Sequence, residues 1–149
     1  MTNRRILLVE DNPDDVELTM LAFEESRLCN EVIVAEDGEK ALNYLFGTEE
    51  YEGQDPDDLP ALVLLDLNLP KVSGLDVLKR IRADKRTSYL PVIVLTSSKE
   101  DEDILSSYKL GANAYVRKPV DYNKFVEAAN TLGMFWLMLN EIPPRKHDH

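Results

Sequence analysis

The chain has 149 residues, of which 44% are hydrophobic and 30% charged, and it carries a formal net charge of −11. That length suits one domain with a substantial core rather than two. The acidic balance argues against nucleic acid as a partner, since phosphates would be repelled without a basic stripe, and the densest basic stretch, Lys79 to Lys85, is interrupted by Asp84. No apolar run approaches the roughly 18 residues that a membrane span needs, and a single cysteine, Cys29, excludes an internal disulfide and fits a reducing compartment. A cytoplasmic protein is expected.

The first element, Arg5–Glu10 (RILLVE), is a short apolar run that ends in acids, unlike a signal peptide. Asn12-Pro13 then supplies a cap and a preset first turn for a helix, with Asp14 and Asp15 following near its positive end. Cys29, near the end of that helix, reads as a small apolar filler. Val32–Glu36 (VIVAE) is the second strand, and Asp37 is a cap candidate for the second helix. Gly47 to Pro60 (GTEEYEGQDPDDLP) is acidic and without periodicity, which predicts a long surface loop. Leu62–Asp66 (LVLLD) is the third strand, and Ser73 is a cap candidate. Val92–Thr96 (VIVLT) is the fourth, after which Ser98, with Asp101 three residues later, has the form of a capping box. Ala114–Arg117 (AYVR) is the fifth, followed by Lys118-Pro119 and by Asp121, a cap candidate for a last helix. That helix is expected to extend to about Asn140 and to stop before Pro143-Pro144. Several strands are apolar continuously rather than alternately, as in a parallel sheet covered on both faces. Five βα units in succession predict one α/β domain with right-handed crossovers. Only a short tail follows the last helix, so no output domain is expected, and His147 and His149 lie on that charged tail.

In an open parallel sheet, ligands bind beyond the carboxyl ends of the strands. Here those ends carry Glu10 and Asp11, then Asp66, then Thr96, then Lys118. Carboxylates held close disfavour one another's ionised forms, and a hard divalent cation with oxygen ligands removes that conflict. Asp11 and Asp66 suit direct ligation of Mg²⁺, Glu10 suits a place through water, and the backbone carbonyl of Asn68 offers another oxygen. One oxygen of Asp66 is then free to attack phosphorus, with Lys118 and Thr96 holding the phosphoryl oxygens by charge and hydrogen bond. The pattern predicts an aspartyl-phosphate site.

Glu10-Asp11, Asp66, Thr96 and Lys118-Pro119, in this order on alternating βα units, resemble the CheY-like receiver domain of two-component response regulators. The similarity covers about Arg5 to Asn130, with an extension and tail over 131–149. It implies a doubly wound, flavodoxin-like five-stranded sheet in the order 2-1-3-4-5. It also implies that Asp66 accepts a phosphoryl group from a histidine kinase, that Glu10 and Asp11 hold Mg²⁺ (with Mn²⁺ as a substitute), and that Lys118 contacts the phosphoryl group. By the same resemblance the Lys118–Pro119 peptide is cis. Thr96 moves toward the phosphoryl group and Tyr115 turns inward as the switch, although an ordinary strand tyrosine would look the same in sequence. Asn68 and Ser98 flank the site and tune the lifetime of the phosphoryl group. The implied protein is a signalling receiver whose only chemistry is its own phosphorylation and autodephosphorylation, read by a downstream protein.

In the last helix, Phe125, Ala128, Ala129, Leu132, Phe135, Trp136 and Leu139 form a stripe able to cover the sheet. From Leu132 onward the helix is apolar around most of its circumference, and a surplus apolar face usually marks a partner surface. A homodimer through Met134, Phe135, Trp136, Leu137 and Met138 is expected; the competing arrangement has the tail Ile142–Arg145 fold back over them. The long acidic loop, the Phe135-Trp136 helix and the missing effector domain resemble the stand-alone response regulators of cyanobacterial and bacterial phytochromes, which implies a phytochrome kinase as donor. Three rivals fit less well. A haloacid-dehalogenase-type phosphatase needs an acid where Asn68 stands. A flavodoxin-like cofactor carrier needs a phosphate-cradling loop where EDNPDD stands. A topoisomerase-primase-type nuclease core needs a basic surface. An interaction module that kept the fold and lost phosphorylation remains the strongest rival.

Overall fold

The five expected strands form a single parallel sheet in the order β2-β1-β3-β4-β5, with β1 at Arg5–Val9, β2 at Glu31–Ala35, β3 at Leu62–Leu65, β4 at Val92–Thr96 and β5 at Ala114–Arg117. The helices α1 (Pro13–Ser26), α2 (Gly38–Phe46), α3 (Gly74–Ala83), α4 (Asp101–Lys109) and α5 (Tyr122–Leu132) alternate with them. A computed structural model describes residues 5–26, 31–53, 58–97, 100–118 and 121–132. The expected continuation of the last helix to Asn140, the dimer surface Met134 to Met138, the end of the apolar stripe (Phe135, Trp136 and Leu139), Ser98 and the peptide to Pro119 lie outside these residues.

Alternation along the strands builds two cores. Ile6, Leu8, Leu62, Leu64, Ile93 and Leu95 point to one face, where Ala22 and Phe23 of α1 and Val126 of α5 meet them. Leu7, Val9, Val63, Leu65, Val92 and Val94 point to the other, against Ala41 and Leu45 of α2 and Val77, Leu78 and Ile81 of α3. Every residue of β3 and β4 is buried, which is why those strands read as unbroken apolar runs. The edge strands do not: β2 is half-buried over most of its length, and β5 is half-buried with Arg117 exposed.

The helix starts follow the capping chemistry with one exception. Asn12 Oδ1 accepts from Asp14 N at 2.9 Å, Asp37 Oδ1 from Lys40 N at 2.8 Å, Ser73 Oγ from Asp76 N at 3.2 Å, and Asp121 Oδ1 from Asn123 N at 2.7 Å. Helix α4 differs from the expected capping box: its N-cap is Glu100, whose side chain makes no capping bond. The first strand ends at Val9 and the third at Leu65, each one residue short of its expected acid, although the N–H groups of Glu10 and Asp66 still bond to the neighbouring strands.

The loop Gly47 to Pro60 is tied down at its described ends. It contains a 3₁₀ turn, Glu49–Tyr51, which the sequence pattern had left out. Tyr51 meets the ring of Tyr44 edge-on, with centroids 5.1 Å apart, and Arg5 donates to the Tyr44 hydroxyl at 2.6 Å and to Asp58 Oδ1 at 2.7 Å.

At the amino-terminal edge of the sheet, one arginine of α3 gathers two loops. Arg82 Nε donates to Gly111 O at 3.0 Å, Nη1 to Ser88 O at 3.1 Å and Leu90 O at 2.8 Å, and Nη2 to Asn113 Oδ1 at 2.9 Å. Arg82→Met keeps the aliphatic stem and strands these acceptors. We expect urea unfolding to show a loss of about 2 kcal/mol or more, given the ~1.5–3 kcal/mol typical of a hydrogen bond to a charged group. Chemistry at the opposite edge should be unaffected; a stability within error of the parent would refute the role.

Candidate functional site

Three backbone hydrogen bonds set the carboxyl ends of the strands side by side. Glu10 N donates to Ala35 O at 3.0 Å, Asp66 N to Val9 O at 3.1 Å and Lys118 N to Thr96 O at 2.8 Å. Each polar residue therefore leaves its strand next to the last residue of a neighbour. Since β1 and β3 are adjacent and their crossovers diverge, the crevice of the switch point opens there.

Asp66 is 7% exposed and both of its oxygens are engaged. Oδ1 accepts from Thr96 Oγ1 at 2.8 Å and from Asn68 N at 3.2 Å, while Oδ2 accepts from Lys118 Nζ at 3.1 Å. Glu10, 3% exposed, takes Lys118 Nζ on Oε1 and Asn12 N on Oε2, the latter at 3.2 Å. Lys118 also donates to Asp15 Oδ2 at 2.9 Å. Asp11 is exposed, and one oxygen each of Glu10, Asp11 and Asp66 lie within 4.8 Å of one another. A set of three hard anionic oxygens at that spacing fits a divalent cation such as Mg²⁺ or Mn²⁺.

Burial, and behind it the neighbouring Asp66 carboxylate, push the Glu10 carboxyl from 4.5 up to about 7, although its bond with Lys118 opposes the shift. For Lys118, burial alone would lower the ammonium, but the bonds to Glu10 and Asp15 and the charge of Asp66 outweigh it and raise the group.

The segment after Asp66 is held without slack. Val72 N donates to Pro70 O at 2.8 Å across Lys71, whose φ of 68° is a left-handed value that a lysine rarely adopts. Gly74, the first residue of α3, donates from N to Leu67 O at 3.0 Å. A Cβ there would stand 2.2 Å from the carbonyl oxygen of Asp66, so a glycine lets α3 lean on the segment that carries the acid.

Glu10, Asp11, Asp66, Thr96 and Lys118 thus meet as expected, with Asn68 alongside through its backbone. Tyr115 is half-buried against the core on the face of α2 and α3. The sequence had marked Asp15 only as an acid near a helix end and had not marked Gly74. For Asp15 the available signal was its place in the first turn of α1, directly above the pocket; for Gly74 it was a glycine following the Ser73 cap.

A sequence profile for the response regulator receiver domain matches residues 6–130. The chain belongs to the response regulator receiver family. This receiver chain is 36% identical to the response regulator Rcp1 of Synechocystis over 138 residues, which is 93% of this chain and 92% of Rcp1. The crystal structure of the phosphorylated cyanobacterial phytochrome response regulator RcpA superposes with a TM-score of 0.88 at 36% identity, covering 96% of this chain and all of RcpA (100%). The bacteriophytochrome response regulator AtBRR is 51% identical, with a TM-score of 0.73, over 95% of this chain and 100% of AtBRR. The site geometry described above therefore belongs to a receiver.

The upward shift of Glu10 has a sign that can be tested on metal-free protein. The folded state holds that proton more tightly than the unfolded chain, so the stability it contributes is full below about 4.5 and is lost as pH rises to about 7. Urea unfolding in chelator is expected to show the parent losing stability relative to Glu10→Gln across that window. Parallel pH profiles would refute the shift.

Proposed function

We propose that this receiver is a phosphoacceptor: Asp66 takes a phosphoryl group from the phosphohistidine of a histidine kinase, changes conformation to signal to a partner protein, and returns the group to water. The observation that carries this reading is that Lys118 and Thr96 both aim donors at one buried carboxylate, Asp66, beside Glu10 and Asp11. In the transfer, an Asp66 oxygen bonds to phosphorus as the P–N bond breaks, and the imidazole keeps the electron pair. In the hydrolysis that follows, a water oxygen bonds to phosphorus as the bond to Asp66 breaks, the carboxylate keeps the electron pair and inorganic phosphate leaves.

Glu10, Asp11, Asp66 and the carbonyl of Asn68 are the groups to hold a cation, through water in the case of Glu10. Bound Mg²⁺ or Mn²⁺ supplies the positive charge that offsets the carboxylates and the phosphoryl oxygens. Rcp1 has been crystallised in a Mn²⁺-bound form, which supports a divalent cation as the cofactor. Thr96 Oγ1 starts on Asp66 Oδ1 and turns to a phosphoryl oxygen, while Lys118 holds another. Movement of Thr96 alters the packing next to Tyr115 and α4, a population shift between two arrangements. Asn68 and Ser98 control the approach of water and so the lifetime, and a cis Lys118–Pro119 peptide aims the lysine.

The similarity to phytochrome response regulators supports a bacterial or cyanobacterial phytochrome as the donor kinase, in the cytoplasm; no described helix is long and apolar enough to cross a membrane. A homodimer through Met134 to Met138 is part of the same reading. Sedimentation is expected to give a dimer at tens of micromolar, and a monomer at that concentration, phosphorylated or not, would remove it.

The central test is chemical. Incubation with a small phosphodonor and Mg²⁺ should place a hydroxylamine-sensitive label on the protein, and Asp66→Asn should abolish it. A parent protein that takes no label would overturn the function and favour an interaction module.

A further inference from the structure

The ammonium of Lys118 has three N–H bonds and three carboxylate partners, and the partners are not equivalent. Glu10 and Asp66 belong to the group of oxygens spaced to hold a cation; Asp15 does not. A divalent ion among Glu10, Asp11 and Asp66 draws on two of the carboxylates that Lys118 pairs with and repels the ammonium as a like charge. Of the three partners, Asp15 alone escapes that competition.

Asp15 is also fixed where it stands. It is the third residue of α1, with its N–H donating to Asn12 Oδ1 at 3.4 Å and its carbonyl accepting from Thr19 Oγ1 at 2.7 Å, and Thr19 is only 2% exposed. Its side chain is 30% exposed, against 3% for Glu10 and 9% for Asp66. It is therefore the most solvent-open of the three partners of Lys118.

We propose that Asp15 is a positioning residue: it keeps Lys118 at the mouth of the pocket once a cation has taken over Glu10 and Asp66, leaving the other two N–H bonds to turn toward phosphoryl oxygens. This rests on the aspartyl-phosphate reading of the site. An ordinary ion pair between α1 and the end of β5 would contribute to stability without depending on the cation or on phosphoryl transfer, and that difference decides the test.

The experiment compares the full chain with Asp15→Asn, Asp15→Glu, Lys118→Met and the double variant Asp15→Asn/Lys118→Met. Two quantities are measured at saturating Mg²⁺: the ¹⁵N resonance of the Lys118 ammonium, and the rate of labelling by phosphoramidate. In the parent the ammonium signal should persist with Mg²⁺, protected from solvent exchange. In Asp15→Asn it should vanish on Mg²⁺ addition, and labelling should slow by about tenfold, the size expected for loss of one charge-assisted hydrogen bond. Asp15→Glu should recover part of the rate. In the Lys118→Met background, Asp15→Asn should cost nothing further, which separates positioning from a general change in the field at the pocket. Labelling of Asp15→Asn at the parent rate, an equal drop in the Lys118→Met background, or an ammonium signal indifferent to Asp15 would each overturn the proposal while Asp66 still labels. A parent chain that takes no label overturns the aspartyl-phosphate reading itself, and this proposal with it.

Discussion

Burying Glu10 and Asp66 side by side is unfavourable unless positive charge lies between them, and Lys118 supplies it from the far side of the sheet. The lysine is delivered by β5, the acids by β1 and β3, and the hydroxyl of Thr96 by the strand in between. The site therefore exists only when the whole strand order is in place. The same ion pairing explains why the pocket is poised rather than inert. One ammonium serves three anions, and any cation that takes two of them changes what the third must do.

The relation between sequence and structure is uneven in an instructive way. β1, β3 and β4 were legible because burial on both faces leaves apolar residues at nearly every position. The edge strand β2 begins one residue earlier than its pattern indicated, at the exposed Glu31, because pairing with Arg5 rather than hydrophobicity fixes its start. The principal carboxylates and the lysine were legible because each follows a strand, where the architecture brings such residues together. The strand order itself came from likeness to a family, since nothing local encodes which strands are neighbours.

What stayed hidden depends on distant neighbours. Asp15 and Lys118 are 103 positions apart and Arg82 and Gly111 are 29 apart, so no periodicity or cap rule joins them. The expected capping box at Ser98 failed as a guide for a related reason. Helix α4 begins at Asp101 and is weakly embedded: Ser107 is its buried residue, while Leu105 and Tyr108 face outward. Among the described residues, the Ser107 hydroxyl is the buried side-chain oxygen without a hydrogen-bond partner. A helix with so little burial sits at the low end of local stability.

The close approach of α3 to the carbonyl of Asp66 has an engineering corollary. Between Leu67 and Ser73 the chain is taut, and even a single methyl at position 74 would drive a wedge against the carbonyl of Asp66. Lengthening that connection by one residue would rotate the start of the helix and drag the acid with it. The acidic loop on the other side of β3 is a different case: its ends are pinned by Arg5, Tyr44 and Tyr51, and extra residues between those pins cost little closure entropy. A peptide tag or a fused binding module therefore belongs in the acidic loop, at the end of the sheet opposite the carboxylate cluster.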